Sequence, residues 1–328
     1  YVPQGIIADV SRKNNVRVVT WNPGYKRGGF LFSHNDTYHH TMMTEPTSDW
    51  ENMEWDERHD EEITKYLKSR RIGAQDWIKF HNNPNFDKKS IVDELGIDFS
   101  KPCIGLLTNV IWDAQLHYPA NAFISMMDWI IDTIEFFIQR PDLQLLIRVH
   151  PAEVTGGVPS KEKVVNEIYK RYSTLPGNIF IIPPESNLST YVAMEQCDSV
   201  LIFGTKSGIE LTSLGIPVIV AGEAWIRGKG ITTDVSSRHD YKTQLNKLPL
   251  QNSLSDSQIL RAKKYAYHFF YRRMIPLNVV EPIEDWRMFK VGINGSDDLK
   301  QGRDPGLDII CNGILNSDPF IYPAEKLI

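Results

Sequence analysis

Cysteine is scarce in this chain. Its three residues, Cys103, Cys197 and Cys311, are far apart and odd in number. That argues against a disulfide framework or a regularly spaced zinc site, and it fits a reducing compartment. An excess of basic charge is also missing: Lys and Arg total 36 against 41 Asp and Glu, a net charge of −5. A nucleic-acid surface wants a basic stripe, and no nucleic-acid partner is expected. The clusters Lys68-Ser69-Arg70-Arg71 and Arg272-Arg273 read as solvated helix faces or contacts to an anionic ligand. Long apolar runs are lacking too. A spanning helix takes roughly 18 such residues, and the longest candidate, 123–137, is broken by Asp128, Asp132 and Glu135. No segment reads as a signal peptide. The first residue is Tyr rather than Met, which suits a fragment or a processed chain.

What is present is ample for two domains with real cores: 328 residues, 41% of them hydrophobic. The most informative stretch runs from Val200 to Trp225. An apolar run ends in Gly204-Thr205-Lys206-Ser207-Gly208; a helical pattern carries Ile209, Leu211 and Leu214; Gly215 stops it, and a second apolar run follows. That is strand, tight turn, helix, strand. Small residues at a strand-to-helix turn leave backbone N–H groups at a helix N-terminus, where the dipole attracts phosphate. Glu210, just inside the helix, suits a ribose or sugar hydroxyl. The turn is not a Walker A loop, because Thr205 separates Gly204 from Lys206. A second run, 143–149, ends in His150-Pro151-Ala152-Glu153. Pro151 restricts His150 to extended backbone, holding its imidazole at a strand's carboxyl end, where open parallel sheets bind ligands.

From residue 101 onward the pattern is regular. Strands are predicted at 103–107, 143–149, 179–182, 200–203 and 218–220, and helices at 120–139, 161–172, 188–195 and 207–214. This alternation implies a parallel sheet with helices on both faces. Further helices are predicted at 255–270 and 281–289. The first hundred residues hold helices at 4–13, 57–80 (bent near Gly73) and 90–95, with strands at 16–21 and 30–33. Residues 34–60 show no period, and 82–87 reads as a linker. The expected layout is an α/β chain of two Rossmann-like domains facing a cleft, the N-terminal one incomplete. Residues 1–100 form a partial acceptor-side domain and linker, 101–270 the nucleotide-sugar domain, and 271–328 C-terminal helices packing back.

The set Val149-His150-Pro151, Cys197-Asp198-Ser199-Val200, Thr205-Lys206-Ser207-Gly208-Ile209-Glu210 and Gly215-Ile216-Pro217-Val218 resembles bacterial capsule and surface polysaccharide glycosyltransferases of GT-B-like fold, the capsular Kdo transferases among them. The resemblance spans about residues 101–270, and more weakly 33–50. His-Pro with a Ser/Thr turn is also similar to bacterial sialyltransferases and teichoic-acid glycerophosphotransferases. The resemblance implies a sugar moved from a nucleotide-activated donor to a surface or capsular glycan, free or lipid-linked. It implies no obligatory cofactor or metal, and a cytoplasmic location, with association at the inner membrane face or with an assembly complex as a further option. A CDP-glycerol-type glycerophosphotransferase, a nucleotide-sugar epimerase and a non-catalytic glycan-binding scaffold stay open.

Each candidate residue has two readings. His150 is a donor to the leaving phosphate or a strand-end histidine bonded to a loop. Arg148 alternates with it, so the two share a face; it assists or pairs with an acid. Thr108, Asn109 and Asp113 follow the first strand of the domain and line the donor site or merely cap a loop. Gly204, Thr205, Lys206, Ser207, Gly208 and Glu210 bind phosphate and hydroxyl, or form only a well-made turn. Glu223 and Arg227 touch donor or solvent. His34, Asp36, His39 and His40 match no standard metal spacing. Asp36 or His39 is the candidate catalytic base, with a polar loop as the alternative. Trp50, Trp55 and Trp77 read as core.

Overall fold

Apolar runs become strands and residues of helical period become helices. The computed structural model describes residues 2–77, 83–112, 118–155, 159–250, 253–283 and 289–327. The chain opens with α1 (Val2–Lys13), the hairpin β1 (Val19–Pro23) and β2 (Gly29–His34), then α2 (Tyr38–Thr44), α3 (Ser48–Glu51) and α4 (Glu57–Arg70). Next come α5 (Lys88–Leu95), β3 (Cys103–Leu107), α6 (Met126–Ile138), β4 (Gln144–Arg148), α7 (Ala152–Thr155), α8 (Val164–Arg171), β5 (Ile179–Ile182), α9 (Thr190–Met194), β6 (Ser199–Ile202), α10 (Ser207–Ser213) and β7 (Val218–Val220). Then follow β8 (Thr233–Asp234), α11 (Arg238–Leu245) and α12 (Asp256–Tyr267), which a π-helical turn, His268–Arg272, continues. Last are β9 (Ile275–Pro276), β10 (Val280–Pro282), β11 (Phe289–Val291) and α13 (Pro305–Asn316).

Two units result. One is continuous, Lys79–Ala262; the other joins both ends of the chain, Tyr1–Ile78 with Lys263–Ile328. The boundaries therefore fall near 78 and 262, not at 100 and 270. Residues 83–97 go with the continuous unit because Asn85 N–H donates to Asn187 O (2.8 Å) and Ser189 N–H donates to Asn85 O (2.9 Å). The second boundary lies within α12.

The continuous unit carries a six-stranded parallel sheet in the order β5-β4-β3-β6-β7-β8. Renumbered from its own first strand, that is the 3-2-1-4-5-6 order of dinucleotide-binding sheets. Ile104, Leu106, Leu145, Ile147 and Leu201 pack with Trp129, Ile130, Ile134 and Phe137 of α6 in the core. Gly105 lets α9 lie close to β3, since a Cβ there would meet Met194 Sδ at 2.5 Å. The cysteines far apart in sequence are neighbours here: Cys103 and Cys197 are buried and free, with sulfurs 3.8 Å apart. The neighbouring thiol and burial push Cys197 well above the ordinary thiol range, so it stays protonated.

Two predicted helices start late or fail. The 120–139 helix begins at Met126, because Ser125 caps it by accepting from Asp128 N–H. The 281–289 helix is replaced at both ends by antiparallel strands, with Val280 opposite Val291 and Pro282 opposite Phe289. β-Branched and aromatic residues at those pairing positions favour extended backbone. Its middle, 284–288, lies outside the described residues. α4 stops at Arg70 rather than reaching 80.

The other unit departs further from expectation. Instead of a truncated parallel sheet, its described residues form an antiparallel sheet, β1-β2-β9, and a separate β10-β11 ribbon. Its tail holds one described α-helix, α13, where several helices were expected. Ile275, Ile310 and Phe320 pack with Val19 and Phe32. Gly306 at the start of α13 admits no side chain, since a Cβ would lie 1.8 Å from Pro276 O. Trp50, Tyr265, Phe269 and Phe270 are fully buried. The Glu45 carboxylate, on a buried side chain, meets His268 Nε2 at 3.2 Å and Arg273 Nε at 3.5 Å. No described helix is long and apolar enough to cross a membrane.

Candidate functional site

Parallel strands put their carboxyl ends on one edge of the sheet. β3 runs into Thr108 and Asn109, β4 into His150, β6 into Gly204–Ser207 and β7 into Glu223. β3 sits between β4 and β6, so the strand order reverses there, and nucleotides bind at such switch points. Three bonds fasten the loops together at that point. His150 N–H donates to Thr108 Oγ1 (2.9 Å), Thr108 N–H to Arg148 O (3.2 Å), and Gly204 N–H to Asn109 Oδ1 (3.1 Å). Thr108 and Asn109, both buried, thus position the flanking loops.

The half-buried His150 ring has a defined tautomer. Ala152 N–H donates to its Nδ1 at 3.1 Å. An accepting Nδ1 assigns the proton of the neutral ring to Nε2, which becomes the donor.

Four predicted contact residues are committed within the protein. Arg148 is buried and donates to Thr190 Oγ1 (3.2 Å), Ser186 O (3.2 Å) and Pro183 O. Burial lowers its guanidinium to about 10. It holds the β5–α9 loop. Glu223 is buried; its carboxylate accepts from Ala120 N–H (2.8 Å) and its own N–H donates to Asn121 Oδ1 (2.9 Å). Arg227 donates to the carbonyls of Val220 and Gly222, each at 3.4 Å. Gly208 is a packing residue, since a Cβ would meet Ile202 Cδ1 at 2.7 Å. Gly204 is different: a Cβ there would make only ordinary contacts, the nearest at 3.4 Å.

Lys206 pairs with Glu210 (Nζ to Oε1, 3.2 Å), and Tyr191 O–H donates to Glu210 Oε2 (2.5 Å). Glu210 therefore anchors Lys206 beside the turn. Tyr191 lies on α9, 19 residues upstream, and no sequence signal marks it. Thr205 Oγ1 accepts from Ser207 N–H (3.3 Å) and donates to Ser207 Oγ (3.2 Å). α10 is only seven residues long, so its dipole is weaker than that of a long helix. Asp113 lies outside the described residues.

Glu153 is fully buried, accepting from Val164 N–H at 3.2 Å through Oε1, while Oε2 has no hydrogen-bond partner among the described residues. Burial raises its pKa above the ordinary 4.5. A raised carboxylate pKa gives stability that is present below 4.5 and lost as pH rises through the folded value. Glu153→Gln keeps the accepting oxygen and removes the buried charge. We expect it to melt higher than wild type at pH 7, with the gain vanishing near pH 4. An unchanged or lower melting temperature at pH 7 contradicts the assignment.

In the other unit, Asp36 Oδ1 accepts from Thr37 N–H (2.7 Å) and from His40 Nδ1 (2.9 Å). The pair suited to general-base work is thus His40 held by Asp36, since a carboxylate on Nδ1 leaves Nε2 as the basic nitrogen. His39 is buried, its ring edge-on to that of His40 at 5.4 Å. His34 Nε2–H donates to Asp318 O (2.9 Å), and its ring stacks on Phe320.

Residues 34–270 match the sequence profile described as capsule polysaccharide biosynthesis protein. The chain belongs to that family. No curated protein matches this capsule-synthesis protein in sequence. Among solved structures it is similar to the beta Kdo 2,4 transferase of Thermosulfurimonas dismutans KpsC, at 14% identity and a TM-score of 0.52, covering 80% of this chain and 75% of that one. That likeness shows the GT-B-like fold. The beta Kdo 2,7 transferase of the same KpsC gives 16% identity and a TM-score of 0.44, over 84% and 75% of the two chains. A UDP-GlcNAc 2-epimerase from Neisseria meningitidis gives 17% and 0.35, over 63% and 48%. The family match begins at His34 and ends at Phe270, so it takes in both the His40–Asp36 pair and the loops around His150.

Proposed function

We propose that this capsule-synthesis protein is a glycosyltransferase that moves a sugar from a nucleotide-activated donor onto a capsular polysaccharide. The observation that carries this is the fastened carboxyl edge of the sheet: Thr108 and Asn109 hold the His150 and Gly204 loops on either side of the strand-order reversal. The donor phosphate lies at the Gly204–Ser207 turn beside the Lys206 ammonium, and His150 Nε2–H meets the leaving phosphate. Charge at the leaving group is met by these side chains, with no obligatory metal ion. The His40–Asp36 pair supplies a base for the acceptor hydroxyl. The acceptor is a glycan, free or lipid-linked, and the reaction takes place on the cytoplasmic side.

A thermal-shift screen of CMP-, UDP-, GDP- and dTDP-sugars tests the donor, because a ligand that binds only the native state raises its stability. Conversion of donor in the absence of acceptor would make the protein an epimerase, and no binding of any nucleotide sugar would end the proposal. Ser207→Ala is expected to weaken donor binding by about 0.5–1.5 kcal/mol. Lys206→Ala costs more, since charge-assisted bonds are roughly twice as strong; it also strands the Glu210 carboxylate, so affinity is read on the folded fraction. Unchanged affinity in both variants removes the turn from the site.

A further inference from the structure

The loop between β5 and α9 is held from two sides. Arg148 donates to Pro183 O, to Ser186 O (3.2 Å) and to Thr190 Oγ1 (3.2 Å). Asn85 brackets Asn187 and Ser189 through two backbone bonds, of 2.8 and 2.9 Å. Ser189 then caps α9, its Oγ accepting from Val192 N–H at 3.5 Å. Tyr191 follows in the first turn of α9, so both anchors place its backbone. Its O–H ends on Glu210 Oε2 at 2.5 Å, the length of a hydroxyl bonded to a carboxylate. The other oxygen of that carboxylate, Oε1, meets Lys206 Nζ at 3.2 Å. The Glu210 side chain is 2% exposed and that of Lys206 14%. Away from water a carboxylate holds a cation tightly. That sets a conflict at the turn after β6. α10 has only seven residues, so the attraction for phosphate falls mainly to the Lys206 ammonium, and Glu210 competes for the same ammonium.

We infer that Tyr191 is a positioning residue of this turn: it shares the charge of Glu210 and thereby leaves the Lys206 ammonium free to turn to a phosphate. The inference rests on the reading of the turn as the donor-phosphate site. A hydroxyl bonded to one carboxylate oxygen draws negative charge toward itself and away from the other oxygen. With the phenol in place, Oε1 is the weaker anchor. Without it, the carboxylate turns its charge on Lys206, the ion pair tightens, and an incoming phosphate has to break a stronger bond in a low-dielectric site. Tyr191 acts through Glu210 and needs no contact with the ligand. Phenylalanine at this position keeps the ring and its packing and removes the one donor that matters.

The test is calorimetric titration of the full chain with inorganic pyrophosphate, a probe that carries phosphate without base or sugar. Wild type, Tyr191→Phe, Lys206→Met and the double variant are compared, with affinity referred to the folded fraction. Tyr191→Phe is expected to weaken pyrophosphate about five- to tenfold, the scale of one charge-assisted bond. In the Lys206→Met background the same change is expected to cost less than about twofold, because the ammonium it acts through is gone. Unchanged affinity in Tyr191→Phe overturns the inference. So does a loss of the same size with and without Lys206, which would make Tyr191 a general prop of the fold. If Lys206→Met binds no pyrophosphate at all, the single variant decides: weaker binding by Tyr191→Phe upholds the inference and unchanged binding overturns it. Nucleotide-sugar binding is measured on the same samples. If pyrophosphate shows the coupling and no nucleotide sugar binds, the transferase reading fails and the role of Tyr191 stands. If a nucleotide sugar binds and the coupling is absent, the role fails and the reading stands. If wild type binds neither, both fail.

Discussion

His150→Ala is expected to lower turnover about 100-fold, the usual cost of removing one hydrogen-bond donor from developing charge, with little change in donor affinity. Charge on the leaving phosphate rises as the glycosidic bond breaks, so a donor fixed there binds the transition state better than the ground state. The geometry supplies the fixing. The His150 backbone is tied to Thr108 Oγ1, and its Nδ1 is occupied by Ala152 N–H. The proton of the neutral ring is thereby assigned to Nε2. Loss of the Nδ1 contact also costs about 1 kcal/mol of stability, so turnover must be normalised to folded enzyme. The measurement is kcat, donor Kd and melting temperature on one preparation. Near-normal turnover per folded molecule would make His150 purely architectural and leave the phosphate to Lys206 and the turn.

Glu45→Ala is expected to destabilise the unit that contains it by about 3–5 kcal/mol, the range for breaking a buried ion pair from one side. Glu45 stands at the end of α2 and answers two buried partners, His268 and Arg273. Burial is the main influence on both and lowers both pKa values, while Glu45 raises them. Its removal leaves the guanidinium unpaired. The sign of the pH effect follows from His268. Its folded pKa is depressed below the ordinary 6.5, so the unfolded chain binds more protons near that pH and stability falls on acidification. Without Glu45 the depression deepens, and the variant loses more stability than wild type between about pH 7 and 5.5. Urea unfolding at both pH values gives the comparison. A loss under about 1 kcal/mol at pH 7 would show that the pair is solvated and not buried in solution.

The parallel sheet was legible because its strands are buried on both faces and write themselves as continuous apolar runs, such as Leu145–Ile147 and Val200–Ile202. Glycines and prolines then marked the carboxyl ends, so the loops of His150 and Gly204 could be placed on one edge. What escaped had no local signature. β9 is two residues long and exists only because β2 offers Phe30 as a partner. β10 and β11 mix charge and Pro with Val and Phe, and their pairing is decided across a turn. Side-chain commitments were equally hidden. Nothing near Arg148 shows that the carbonyls of Pro183 and Ser186 await it, nor does the spacing of Glu223 reveal Ala120 N–H as its partner. Residues chosen for charge at loop positions were thus divided by burial. Arg148, Glu223 and Arg227, with partners in the backbone, hold the loops. The expected base was Asp36 or His39; the bond from His40 to Asp36 is a different pairing, and it follows from α2 starting at Tyr38.

The pairing of Phe30 with Ile275 also has a meaning in time. Residues of the parallel sheet emerge from the ribosome in one uninterrupted stretch, so that unit can close as soon as it is made. β2 must wait for β9, and at the usual pace of synthesis, about 5–20 residues per second, the delay is roughly 10–50 seconds. Through that interval β2 presents an unpaired edge bearing Phe30 and Phe32, a template for pairing with another chain. A lesion that removes the end of the chain from β9 onward is therefore not a local event. It leaves the nascent edge without its closing partners, and its first symptom should be lost yield of soluble protein, ahead of any change in the sheet that holds His150.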